Sequence, residues 1–285
     1  MHKKTARKEE LSELFFMDGT LLDDKKRLPA ENAAALQAAR DAGIVLVPAT
    51  GRILKALPEG FADPNLYQYC IFANGAEIFD LQKEKRLFGA GIEPRLAAEV
   101  CRYMDGLPVL YDCYRGESGY MTAWMYEKAP EYFESEPEIL KLVKKLRKPV
   151  PDLRENILET DLPVEKLQMY FRPEDLSERE RQLKALPERF PELKASSSLK
   201  NNIEINSVHA GKGKALQELC RQLSIRIDES AAFGDGLNDI EMLQAAGIGC
   251  AMANAVDAVK RCADRITESN NEAGVGKEIF RMLSS

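Results

Sequence analysis

Residues 44–49, IVLVPA, form a continuous apolar run that ends directly in Thr50-Gly51-Arg52. A segment apolar at every position has no face to offer to water. It reads as a strand buried on both sides, as in a parallel sheet covered by helices. The flanking sequence agrees. LFF at 14–16 is a short strand running into Asp18-Gly19-Thr20, and PAENAAALQAARDAG reads as a helix with Pro29 near its start and Gly43 as its stop. YCIFANGAEIF adds a strand and a turn at Asn74-Gly75.

The same texture returns near the end. KGKALQELCRQLSI places Leu216, Leu219, Cys220 and Leu223 at the i, i+3, i+4, i+7 spacing of an amphipathic helix. AAF before Gly234 and IGCAM read as strands, DIEMLQAAG as a helix closed by Gly247, and AGVGKEIFRMLSS as a last helix. This alternation predicts an α/β fold with an open parallel sheet. The middle differs: charged helices such as EPEILKLVKKLRK and SERERQLKALPERF mix with strands EKLQMYF and NNIEIN, punctuated by prolines. It reads as an α+β domain inserted into the first, with boundaries at 1–83, 84–206 and 207–285.

Composition narrows the function. A net charge of −6 disfavours a general nucleic-acid binder, and the basic run at 141–148 reads as a solvated helix face. Six scattered cysteines with no C-x-x-C pair, beside two histidines, disfavour zinc and read as reduced thiols. The charged start MHKKTARKEELSE lacks the apolar stretch of a secretory signal, and no run approaches the roughly 18 apolar residues of a membrane span. A soluble, cytoplasmic protein is expected, with no membrane or nucleic-acid partner.

Four polar stretches stand where chemistry is expected. Asp18, Thr50-Gly51-Arg52 and Asp235–Asp239 each follow a predicted strand, and Lys212 opens a predicted helix. Singly, these are a tight turn, a helix cap, a turn into a helix and a surface lysine. Together, at the carboxyl ends of parallel strands, they converge on one crevice. Asp235 and Asp239 are spaced to face one hard cation, for which magnesium is suited. Thr50 and the Gly51 amide can donate to phosphoryl oxygens while Lys212 adds positive charge, which fits phosphoryl transfer to water. Neither a P-loop nor a G-x-G-x-x-G motif is present.

FFMDGTLLD, VPATGR, GKGKAL, FGDGLNDIEML and AMANAVDAVK span almost the whole chain in this order. With them the sequence resembles the haloacid dehalogenase superfamily, in particular its Cof-like subfamily of magnesium-dependent sugar-phosphate-type phosphatases. The resemblance implies a Rossmann-like parallel-sheet core with an inserted α+β cap domain, a Mg2+ cofactor, a small phosphorylated metabolite as substrate, and a monomer or homodimer. It assigns Asp18 as general acid/base whose carbonyl touches the metal, Thr50 as phosphate ligand with Gly51 and Arg52 beside it, and Lys212 as the cation that steadies nucleophile and phosphate. Asp235 and Asp239 become the metal acids supported by Asn238, and Asn254 a contact to phosphate or Lys212.

One position departs. The family's nucleophile is the first acid of Asp-x-Asp, and here Phe16 stands two before Asp18. Residues i and i+2 of a strand share a side, so an ungapped reading turns an aromatic ring toward the metal crevice. Placing one absent aspartate between Phe16 and Met17 restores an ordinary family strand. Three readings stay open: a phosphatase whose aspartate is missing from the sequence as written, a pseudo-phosphatase that only binds its ligand, and direct attack by water.

Overall fold

The computed structural model describes residues 12–14, 20–57, 63–134 and 136–284. Asp18, Phe16 and Met17 lie outside them. A four-stranded parallel sheet runs Ser12–Leu14, Ser230–Gly234, Ile248–Ala251, Arg265–Ile266, with Leu14 opposite Ala232 and Phe233 opposite Cys250. Strand Ser230–Gly234 is buried along its length, which is why its sequence, SAAFG, carries only small and apolar side chains.

The run at 44–49 is buried from Leu46 onward, as its composition requires. Among the described residues Ala49 bridges in parallel to Ile71, with Ile71 N donating to Pro48 O at 2.8 Å and Thr50 N to Ile71 O at 2.9 Å. Pro48 has no amide hydrogen to give. Through this bridge the segment joins a three-stranded antiparallel sheet, Tyr69–Phe72, Glu77–Asp80 and Lys85–Gly89. Helix Ala30–Asp41 ends before Gly43, whose φ of +85° suits a residue without a Cβ.

A six-stranded sheet occupies the middle of the chain, in the order Arg147–Val150, Ser118–Thr122, Val109–Arg115, Lys166–Phe171, Asn202–Ser207, Leu193–Ser196. Its pairs are antiparallel except the first, which is parallel. EPEILKLVKKLRK is helical only over Pro137–Leu146, because Arg147 turns extended and enters the sheet. Among the described residues two large hydrophobic cores follow, beside two small clusters. One collects Leu21–Leu81 with Ala215–Met282; the other collects Ile92–Ile205.

The sheet changes later than residue 83. Strand Lys85–Gly89 stays with Glu77–Asp80, and Ala90 N still donates to Ala76 O at 2.8 Å. Ile92 N then donates to Val164 O at 2.7 Å in the second body. The return passes through 208–211, where Val208 N still bonds Glu192 O at 2.9 Å and helix Lys212–Leu223 begins in the first body. The whole is a mixed α/β fold with a parallel core sheet and an inserted α+β body.

Candidate active site

Where Ser230–Gly234 ends, Asp235 caps the parallel sheet at its carboxyl edge. Thr20, wholly buried, donates its hydroxyl to Asp235 Oδ1 at 2.9 Å. Asp239, four residues on and 2% exposed, folds back on the same turn: its Oδ2 accepts from Asp235 N at 3.1 Å and Gly236 N at 2.9 Å. Its Oδ1 accepts from Lys212 Nζ at 2.6 Å. The turn is tight enough that a Cβ on Gly234 would lie 2.5 Å from Asp239 Cβ.

Lys212 reaches Asp239 because its helix starts against the turn after the Tyr69–Phe72 strand. A Cβ on Gly75 would fall 2.2 Å from the Gly211 carbonyl and 2.7 Å from Lys212 N. Ala73, Asn74 and Gly75 all have positive φ, at +48°, +61° and +89°. Two non-glycine residues in that region, side by side, hold strain that the surrounding contacts must maintain. Asn74 N in turn donates to Thr50 O at 3.0 Å.

Contacts therefore run without a break from Thr50 through Asn74, Gly75, Gly211, Lys212 and Asp239 to Asp235 and Thr20. The structure brings Thr50, Gly51, Lys212, Asp235 and Asp239 into this one chain of contacts. Asn238 folds over Gly236, whose Cβ would sit 2.6 Å from Asn238 Oδ1. Arg52 Nη1 donates to Ala56 O at 3.2 Å, at the end of the short helix Leu54–Ala56 that follows it, and exposed Asn254 accepts from Asn270 N at 2.9 Å, pinning a neighbouring loop.

Oxygen donors dominate this strand edge, and that chemistry suits a hard divalent cation such as magnesium. Asp235 is half-buried and steadied by Thr20, so it suits direct ligation. Asp239 has Lys212 on one oxygen and two amides on the other, so it suits a supporting role around Asp235. Among the described residues no group of three His, Cys, Asp or Glu side chains is close enough to form a metal cluster. Burial pushes the Cys220 thiol up to about 11, and those of Cys70 and Cys101 well above the ordinary thiol value.

Sequence reasoning missed the contribution of the second body. On its sheet, Asp112, Tyr114, Lys166, Gln168, Tyr170 and Glu204 share one face by register, and Tyr111, Cys113, Leu167, Met169 and Ile203 share the other. The apolar face belongs to the second core, together with buried residues of helices Pro94–Met104 and Leu176–Arg189. From the polar face, Lys166 Nζ donates to Gly51 O at 2.6 Å and to Glu204 Oε1 at 2.8 Å. Asn74 Nδ2 donates to Glu204 Oε2 at 2.8 Å, and Asn206 Nδ2 to Ala73 O at 3.0 Å. Burial alone would raise Glu204, but the Lys166 charge and hydrogen bonds from Lys166, Asn74 and Ser198 hold it below the usual carboxylate range. Alternation over Lys166–Phe171, KLQMYF, was the available signal, since period-two polarity marks a sheet with two different faces.

A family model for haloacid dehalogenase-like hydrolases matches residues 14–279. Phosphatase YwpJ of Bacillus subtilis is 31% identical, over 94% of this chain and 98% of its own length. From the same organism, 5-amino-6-(5-phospho-D-ribitylamino)uracil phosphatase YcsE is 32% identical, over 92% of each chain. The solved structure of a haloacid dehalogenase-like hydrolase from B. subtilis superposes with a TM-score of 0.77 at 29% identity, covering 95% of this chain and all of that one.

Proposed function

The chain belongs to the haloacid dehalogenase-like hydrolases, and from that premise we propose that it is a magnesium-dependent phosphatase of a small phosphorylated metabolite. The observation that carries this reading is the unbroken run of contacts from Thr50 through Lys212 and Asp239 to Asp235. It gathers phosphate donors, a cation and a metal-type carboxylate at one strand edge. The relatives' names as phosphatases support the reaction class, and the phosphorylated ribityl compound in one of them supports a small metabolite.

Thr50 Oγ1, the Gly51 amide and Lys212 Nζ bind the phosphoryl oxygens. Asp18 protonates the leaving oxygen and then takes a proton from the attacking water. The nucleophile of this mechanism would be an aspartate that is absent between Phe16 and Met17 in the sequence as written, and it would form and then lose an aspartyl-phosphate. Asp235 and the Asp18 carbonyl, with Asp239 in support, would hold a magnesium ion, which would supply neutralisation of phosphoryl charge. Asn238 braces the turn and Asn254 its neighbouring loop. The body at 92–205 acts as a cap that closes over this edge, hinging through 90–91 and 208–211.

The test is release of inorganic phosphate from a panel of phosphorylated metabolites, with and without magnesium, by the chain carrying one aspartate inserted after Phe16. Phosphate release indifferent to both magnesium and Asp235→Asn removes the reading. Phe16, two residues before Asp18, favours one alternative: a pseudo-phosphatase that binds a phosphorylated ligand without turning it over. In that case calorimetry shows binding, while even a chain with aspartate inserted after Phe16 stays inactive.

A further inference from the structure

The carbonyls of Thr50, Gly51 and Arg52 each have a donor. Two come from the backbone of the first body: Asn74 N to Thr50 O at 3.0 Å and Ala73 N to Arg52 O at 2.9 Å. The middle one comes from the other body, as Lys166 Nζ to Gly51 O at 2.6 Å. Lys166 is 2% exposed, Glu204 neutralises it at 2.8 Å, and the Tyr114 ring lies 5.0 Å away. This buried ammonium has one fixed address on the loop.

A trans peptide points its C=O and its N–H in opposite directions. Holding Gly51 O therefore also fixes Arg52 N–H, which donates to Thr50 Oγ1 at 3.2 Å. With that lone pair engaged, the Thr50 hydroxyl hydrogen points away from Arg52 N and is left to donate elsewhere. Donation from a cation also polarises the peptide and strengthens its N–H as a donor. Gly51 has no room for a side chain here, since a Cβ would lie 2.7 Å from Asn74 Oδ1 and 3.6 Å from Lys166 Nζ.

We propose that Lys166 is a positioning residue for phosphate binding: it sets the Gly51–Arg52 peptide and, through it, the direction in which Thr50 donates. The proposal rests on the reading of Thr50 as a phosphate ligand. Seating of the inserted body then becomes a condition for full phosphate affinity, although Lys166 itself does not touch the phosphate.

The experiment titrates the whole chain with inorganic phosphate plus magnesium, followed by phosphorus NMR. Lys166→Met is combined with Glu204→Gln so that no buried charge is stranded, and Lys166→Leu with Glu204→Gln is a second neutral pair in case the first misfolds. Each pair is expected to weaken phosphate binding about tenfold, as Thr50→Val does, the scale of one hydrogen bond to a charged group. Lys166→Arg, which keeps a donor and the Glu204 pairing, is expected to retain most of the affinity. In a Thr50→Val background the neutral pairs are expected to cause no further loss, because their effect passes through Thr50. Unchanged affinity in the neutral pairs beside a loss in Thr50→Val overturns the proposal and leaves the functional reading standing. Additive losses overturn it too, since Lys166 would then act by its own charge. Affinity indifferent to Thr50→Val overturns the functional reading, and the proposal with it.

Discussion

Lys212 Nζ stands 2.6 Å from Asp239 Oδ1, with only 5% and 4% of the two side chains exposed. The pair joins the start of a helix to the turn that carries Asp235, and it is closed to water. Removing one partner strands the other. Lys212→Met is expected to cost about 3–5 kcal/mol in urea unfolding, whereas Lys212→Met with Asp239→Asn should cost clearly less. Equal losses in the two variants would mean the lysine contributes packing rather than charge.

Inserting one aspartate between Phe16 and Met17 is expected to switch on magnesium-dependent hydrolysis of phosphate monoesters. By the scale of nucleophile knock-outs, the chain as written should be slower by roughly 10⁶-fold, or about 8 kcal/mol of barrier. Phe16→Asp should recover less, because it shortens the apolar run that leads into Asp18. Steady-state phosphate release on the three chains decides this.

Gly75→Ala probes the joint between the Thr50 and Lys212 segments. A methyl group there meets the Gly211 carbonyl at 2.2 Å, at a φ of +89°. Backbone cannot swing aside as a side chain can, so a loss of about 3 kcal/mol or more is expected. Gly43→Ala is the control: the same kind of φ, +85°, with nothing within 4 Å. It should cost only about 1 kcal/mol. Similar thermal midpoints for both variants would refute the steric account.

Glu165 supplies a pH signature at the seam of the two bodies. Its carboxylate receives Arg86 Nη2 at 2.6 Å and Gly116 N at 2.9 Å. Burial, the largest influence, pushes it up to about 7 against the pull of Arg86, and Glu77 adds repulsion. A raised folded value means that the folded state holds the proton more tightly. Stability from this group is full below about 4.5 and is lost as pH rises through about 7. Relative to Glu165→Gln, the natural chain is expected to lose on the order of 3 kcal/mol between those limits. Urea midpoints at pH 4.5 and 8 measure it, and a difference that stays constant counts against it.

Much of this was legible in the sequence because local rules and tertiary structure agree there. AAFGDG could only be a buried strand with acids at its end, and Lys212 opens its helix as the apolar spacing required. The misreadings arose where distant chain supplies the partner. Asn74 looked like an ordinary turn residue, yet its side chain reaches Glu204, 130 residues away. Lys166, Gln168 and Tyr170 have the polarity of a solvent face, but they are buried: Lys166 meets Gly51 of the other body, while Gln168 and Tyr170 bond Asp112 on their own sheet. Thr20 passed as part of a turn, since only the fold reveals Asp235 as the acceptor of its hydroxyl.

The alternation in strand Lys166–Phe171 gives its positions a parity. Odd numbers, 167, 169 and 171, pack into the second core; even numbers, 166, 168 and 170, lie on the opposite face of the sheet, where Tyr170 still packs edge-on against Phe133. Substitutions at even positions can revise what the crevice meets while the core behind keeps its shape. A one-residue slip in this strand would exchange the two sets, sending Leu167 and Met169 toward Gly51 and a lysine among the helices. The strand thus tolerates no insertion without exchanging its two faces.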